Sequence, residues 1–308
     1  MARARARRAS SSLVEMIHTD AAVDNFYITA REAKDTPSRA HGVGEETEFV
    51  QRIYGASLIR ASCVLLRLSL SVVVTAQTLL QRFYTKKSLR DYDVKLVVVA
   101  AIALACKLEG TDRKLRNVLN ASRRAAQRHE GQPRSMLAIN TAEFQELKSD
   151  AKNMELVMLR EFGFFVHVLP PHPFAYTLGA QLELDKELVK RAWALCNDTS
   201  MTALCVRFKP AVIACGCIYL AARELGVALP TQPSWYRLVE GTSKRNLEVI
   251  AETILAFHAV DKIEYTDLSH RARGRGEGKR TDRGRHASRD RQDSKRQRDS
   301  SRDYGGRR

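Results

Sequence analysis

Asp93-Val-Lys-Leu-Val-Val-Val-Ala-Ala-Ile-Ala-Leu-Ala-Cys-Lys-Leu-Glu109 is the stretch on which the fold turns. It is rich in Val and apolar almost all round, so by composition alone it could be a buried strand. Its seventeen residues exceed an ordinary strand, and its Ala-rich second half favours helix. A helix without a polar face must be enclosed by other helices. The pattern then returns. Ile102, Leu104, Ala105 and Lys107 are matched by Ile218, Leu220, Ala221 and Arg223, each 116 positions further on. The closing helices also correspond, Leu159 and Phe162 with Ile254 and Phe257, at an offset of 95. The offset falls by 21, about the length of the polar stretch 127–149 with its Gly131-Gln132-Pro133, which reads as a loop inserted in the first unit.

Working outward, residues 1–45 are polar and mostly irregular, with turn chemistry at Asp35-Thr36-Pro37-Ser38 and at 42–44. In 46–68 the apolar residues Ile53, Ala56, Leu58, Ile59, Cys63 and Leu66 fall mostly on one side of a 3.6-residue period. Val72, Ala76, Leu79, Leu80 and Phe83 follow the same period over 71–84. Residues 112–126 form a cationic amphipathic helix, and 150–164 puts Leu156, Leu159 and Phe162 on one face. Pro170, Pro171 and Pro173 cannot continue a helix and set the boundary between the units. Further helices are predicted near 172–182, 185–201, 209–225, 234–240 and 243–260. The fold class is all-α: two tandem five-helix units, 46–168 and 169–262. The polar segment 1–45 precedes them, and the basic tail 263–308 follows, disordered by its composition.

The net charge of +16 is unevenly spread. Residues 269–308 hold fifteen Lys/Arg against six Asp/Glu, and the first twelve residues add four Arg, which leaves about +3 for the body. A globally basic nucleic-acid-binding domain is not implied. The six cysteines sit in apolar, helix-patterned stretches, as buried thiols in a reducing compartment do, and none has metal-ligand spacing. The most apolar run, Leu96 to Cys106, is too short to span a bilayer, so a membrane partner is not expected. The eight histidines are scattered, with no HExxH, GxSxG or Gly-rich phosphate loop. No catalytic residue, metal site or cofactor is expected, and the chain reads as a binding protein.

Several strings together resemble the L-type cyclins. They are Gln81-Arg82-Phe83-Tyr84-Thr85-Lys86, Ala105-Cys106-Lys107-Leu108-Glu109 with Asn117-Val118-Leu119-Asn120, Glu161-Phe162-Gly163-Phe164-Phe165-Val166-His167-Val168, and Ile218-Tyr219-Leu220-Ala221-Ala222-Arg223. Val206-Arg207-Phe208 and Leu229-Pro230-Thr231-Gln232-Pro233-Ser234-Trp235 add to them, and the likeness runs from about residue 25 to 258. The resemblance implies two tandem cyclin folds that bind a cyclin-dependent protein kinase. For members with Arg/Ser-rich tails it implies a part in transcription and pre-mRNA splicing. It also implies a Lys closing the third helix and a Glu opening the fifth as part of the kinase-binding surface, here Lys107 and Glu155. Helical spacing puts Leu104 and Leu108 on one face with Lys107 and Leu159 one turn from Glu155, and Val166 just beyond the helix is a further candidate for that surface. At the offset of 95 the partner of Glu155 is Ile250, so the first unit is expected to carry the kinase. Gly110-Thr111-Asp112 departs from the family, which usually has a second acid and a Pro there. Leu65-Leu66-Arg67 stands where substrate-recruiting cyclins have a Trp, so no such docking patch is expected. Trp193 and Trp235 are expected to serve packing.

In the tail, Ser288, Ser294, Ser300 and Ser301 lie beside or next to cations and are phosphorylation candidates. Phosphate there would reverse the local charge, and the unmodified tail could meet splicing factors or RNA phosphates and act as a nuclear address. The alternatives are a TFIIB-like general transcription factor, which also has tandem cyclin folds, and an RNA-binding splicing protein. No zinc-ribbon cysteine pair precedes Cys63, and no aromatic strand pattern supports a folded RNA module.

Overall fold

In the computed structural model, residues 27–231 and 234–268 are described, and they contain helices and turns but no strand. The tail from residue 269, with Ser288, Ser294, Ser300 and Ser301, lies outside them. A short turn, α1 (Pro37–Ala40), leads into α2 (Glu45–Leu65), α3 (Leu70–Lys86), α4 (Val94–Leu108), α5 (Leu115–His129) and α6 (Ala142–Glu161). The second unit holds α7 (His172–Gln181), α8 (Lys186–Thr199), α9 (Pro210–Glu224) and α10 (Lys244–His258), with 3-10 turns at Ala203–Val206 and Trp235–Leu238.

The helix that decides the fold is enclosed as its composition requires. Asp93 caps α4 by accepting from the Lys95 N–H, and α4 packs against α2, α3, α5 and α6. Its equivalent α9 packs against α7, α8 and α10. The bounds of α4 and α9 differ by 116 at both ends. The closing helices match at 96, one more than the sequence comparison gave: Ala151, Met154 and Met158 are buried in α6 where Leu247, Ile250 and Ile254 are buried in α10. Met158 therefore faces the core, while Leu159 is half-buried and Leu156 exposed, contrary to the face drawn from leucines.

Three boundaries move. The expected loop 127–149 shrinks to 130–141, because α5 runs on to His129 and Thr141 accepts from the Phe144 N–H to start α6 early. Buried Phe144 anchors an otherwise polar, exposed first turn. The expected helix 234–240 is a single 3-10 turn around buried Trp235, whereas Trp193 is 38% exposed, its ring edge-on to His172 at 4.8 Å. Finally, the flanks belong to the body. Thr36, Ser38 and Val43 are buried, and the Ile28 N–H donates to the Val206 carbonyl at 2.9 Å. At the other end the Gln51 amide donates to the Glu264 carbonyl (2.7 Å) and accepts from the Thr266 N–H, and Lys95 Nζ lies 3.6 Å from the Tyr265 ring centroid.

The two units meet along α3. Its apolar residues Val72, Ala76, Leu79, Leu80 and Phe83 are fully buried in the first core. Its polar residues Thr75, Gln77, Thr78, Gln81 and Arg82 are buried as well. Gln81 Nε2 donates to the Met201 carbonyl (3.0 Å) and its Oε1 accepts from Arg52 Nε (2.7 Å). Ser200 Oγ donates to Gln77 Oε1 at 2.7 Å. Burial pushes the Arg52 guanidinium down from its ordinary range against the opposing pull of Glu48, whose other oxygen accepts from Arg39 Nε at 3.0 Å. The six cysteines are free thiols, and burial raises Cys63 and Cys215 to about 12 and Cys205 to about 11. No helix of the described residues is long and apolar enough to cross a membrane.

Replacing Gln81 by Leu removes two partners from this buried seam and leaves Arg52 underpaired, so urea unfolding should show a loss of about 2–4 kcal/mol; a loss under about 1 kcal/mol would show the seam to be dispensable. His172 gives a pH dependence. Buried, its ring is pushed below its ordinary value by desolvation, partly offset by the bond to Asn197. The unfolded chain therefore takes up the proton first as pH falls, and stability present above about pH 6.5 declines through the window beneath it. His172→Gln should flatten that part of a Tm–pH curve relative to the parent chain.

Candidate functional site

α4 and α6 pack side by side, and this brings Lys107 Nζ to 2.5 Å from Glu155 Oε1. The Glu155 side chain is 13% exposed and that of Lys107 66%, so the carboxylate is set into the edge and the ammonium stands out from it. An ammonium has three donors, and this pair uses one.

Both helices end in a way that fixes the edge. After α4 the Gly110 N–H donates to the Lys107 carbonyl and the Thr111 N–H to the Cys106 carbonyl, with Gly110 at φ +64°. After α6 the Gly163 N–H donates to Arg160 and the Phe164 N–H to Leu159. These are paired C-terminal caps whose left-handed residue is glycine. Past α6, however, Phe164 is itself at φ +65°, a strained conformation for a bulky side chain. α3 clamps both ends. Thr75 Oγ1 donates to Glu109 Oε1 (2.7 Å), Lys86 Nζ to the Glu161 carbonyl (2.8 Å) and Arg82 to the His167 carbonyl (2.7 Å), while Lys87 pairs with the Glu161 carboxylate at 2.8 Å.

Of the residues expected at this surface, Leu108 is exposed, and Leu159 and Val166 are half-buried. Leu104 is 3% exposed: it lies in the core of the first unit and offers no surface to a partner. The reason is angular, since Lys107 is three residues on and turned about 60° outward. Leu156, next to Glu155 and expected on the apolar face of its helix, is exposed, as are Phe164 and Phe165, at 69% and 55%, and none of the three was expected at this surface. Gly163 was their available signal, because a helix stop before two aromatics takes them out of the buried period. At the burial-based offset of 96 the counterpart of Glu155 is Ala251, not Ile250, and it carries no acid either. Among the described residues no group of His, Cys, Asp and Glu is arranged to hold a metal ion.

Two stacked all-helical units of matching topology, joined through α3, define a tandem cyclin fold. The family model described as "Cyclin, N-terminal domain" matches residues 25–167, and that described as "Cyclin-T2-like, C-terminal domain" matches 171–257. Cyclin-L1-1 of Arabidopsis thaliana is 40% identical over 253 residues, 82% of this chain and 60% of that protein. Cyclin-L2 of Homo sapiens is 34% identical over 248 residues, 80% of this chain and 47% of that protein. The chain thus spans about half the length of the curated relatives it matches. The chain belongs to the cyclin family, and within it to the L-type cyclins. A chain of the yeast RNA Pol II CTD kinase CTDK-1 complex superimposes with a TM-score of 0.63 at 18% identity, covering 76% of this chain and 73% of that one. A chain of the yeast TFIIK (Kin28/Ccl1/Tfb3) complex does so at 0.51 and 15%, covering 75% and 95%. At these identities the likeness is one of fold.

Phe164 costs the free chain backbone strain and returns little burial. Phe164→Gly should therefore raise stability to urea by about 0.5–1 kcal/mol. A destabilisation would show that the ring supports the fold and is not held out for a partner.

Proposed function

We propose that this chain is the regulatory subunit of a cyclin-dependent protein kinase, holding the kinase's mobile αC helix against the edge formed by α4 and α6. The observation that carries the reading is the Lys107–Glu155 pair, one partner recessed and one projecting. A kinase is active when its β3 Lys is paired with a Glu on that helix, so a subunit that holds the helix in place activates it. An amphipathic helix docks in one register when an apolar surface carries a few fixed charges. Leu108, Leu156, Phe164 and Phe165 supply exposed apolar area close in sequence to the pair, and Leu159 and Val166 line its margin.

The L-type relatives support the reading by kind, and the Arg/Ser character of the tail supports its setting. The kinase so formed works in RNA polymerase II transcription and pre-mRNA splicing in the nucleus. Phosphorylation at Ser288, Ser294, Ser300 or Ser301 would tune how the tail meets splicing factors or RNA, each phosphate adding about −1.5 to −2 charge. The near-neutral body favours this over a TFIIB-like role, which would set a basic face against DNA.

Affinity purification of the full chain should return a protein kinase in stoichiometric amount. Titrated with that kinase, Glu155→Ala should bind more weakly by about 1–3 kcal/mol, roughly 5- to 150-fold. Phe164→Gly should weaken binding too, while leaving the chain no less stable. An unchanged affinity for Glu155→Ala would remove the pair from the interface, and the absence of any stoichiometric kinase would end the proposal.

A further inference from the structure

The second unit keeps the base of the docking pair and lacks its acid. Arg223 closes α9 where Lys107 closes α4, and Ala251 stands in α10 where Glu155 stands in α6. Among the described residues no carboxylate pairs with Arg223, whose guanidinium carbon lies 5.8 Å from the Tyr219 ring centroid. Beside it opens a cleft of about 330 Å³. Tyr219, Leu229, Trp235, Tyr236 and Leu247 give it an apolar, aromatic lining, and Arg223 and Lys244 are the charged groups on it. Both charges are cationic. Among the described residues Lys244 pairs with Glu248, one turn along α10, at 3.8 Å.

An apolar cleft with a few convergent polar groups is the ordinary form of a ligand site, and this volume is at the lower end of such sites. Cations beside an aromatic lining complement an apolar side chain flanked by anions. The surroundings argue for a peptide and against a nucleic acid. Residues 169–262 carry ten Lys/Arg against nine Asp/Glu, so no extended basic field is present to track a phosphate backbone. We propose that this cleft binds a linear acidic peptide of a partner protein. One branched or aromatic side chain enters the cleft, and neighbouring carboxylates pair with Arg223 and Lys244, the partner supplying the acid that Glu155 supplies in the first unit.

The test is selection of a random-peptide phage library on the immobilised full chain, then titration of the best sequence as a fluorescein-labelled synthetic peptide. The expected result is enrichment of an apolar residue flanked by Asp or Glu, with affinity falling at least tenfold in Arg223→Glu and in Lys244→Glu. Both side chains are exposed; an acid at the first position of α10 suits the helix dipole, and one in the last turn of α9 opposes it only modestly at an exposed site, so these variants should keep the fold, which circular dichroism checks. Glu155→Ala should leave peptide binding unchanged, and Arg223→Glu should leave kinase affinity unchanged, so failure here is separable from failure of the kinase reading. The proposal is overturned if no acidic–apolar motif is enriched, or if binding survives Arg223→Glu. It is also overturned if the peptide binds as well with its apolar residue replaced by Gly, or if a single-stranded RNA oligonucleotide displaces it.

Discussion

The polar row buried along α3 is the constraint on which the arrangement of this molecule depends. Thr75, Gln77, Thr78, Gln81 and Arg82 are buried, Gln77 and Gln81 against Ser200 and Met201 of the second unit, and each must find a partner or cost the structure its desolvation. Gln81 can satisfy its amide on Met201 and its oxygen on Arg52 in one relative placement of the units. Apolar surfaces tolerate sliding, whereas a row of directional bonds does not. Hydrophobic burial drives the two cores together, and the glutamines fix where they stop.

The same helix links that seam to the edge of α4 and α6 that carries the Lys107–Glu155 pair. Thr75, Arg82 and Lys86 reach from α3 to the ends of α4 and α6 and to the segment beyond, while Gln77 and Gln81 reach the second unit. A displacement of α3 would disturb both sets of bonds at once. In this sense the second unit braces the first: it helps bury the helix that holds the caps around the Lys107–Glu155 pair.

Much of the fold was legible because the α3 period and the α4 composition are strong signals, and Val72, Ala76, Leu79, Leu80 and Phe83 are all fully buried. The polar half of α3 was not legible. A helix face destined for a hydrogen-bonded interface has the composition of one destined for water, and only the covering unit tells them apart. The first turns of α6 were missed for the converse reason, since an exposed polar helix start resembles a loop until its Thr141 cap and Phe144 anchor are seen. Within the site, Lys107 and Glu155 came from family resemblance and not from spacing. Leu104 was misplaced because two residues three apart on a helix can straddle the line between core and surface.

The second unit, which has Ala251 where the first has Glu155, packs its closing helix closely on α9 at Gly216. Gly216 in α9 faces Ile250 in α10 so closely that a Cβ on Gly216 would lie 2.5 Å from Ile250 Cγ2. The corresponding residues of the first unit are Ala100 and Met154, a small side chain against a flexible one that adapts to the gap. A β-branched residue against glycine leaves less slack. Ala251, next to Ile250, is 7% exposed, so a carboxylate there would be buried. The first unit accommodates an acid at this position because its closing helix presents Glu155 at a partly open edge. With Ala251 buried, the second unit offers no acid at the position from which Glu155 answers Lys107.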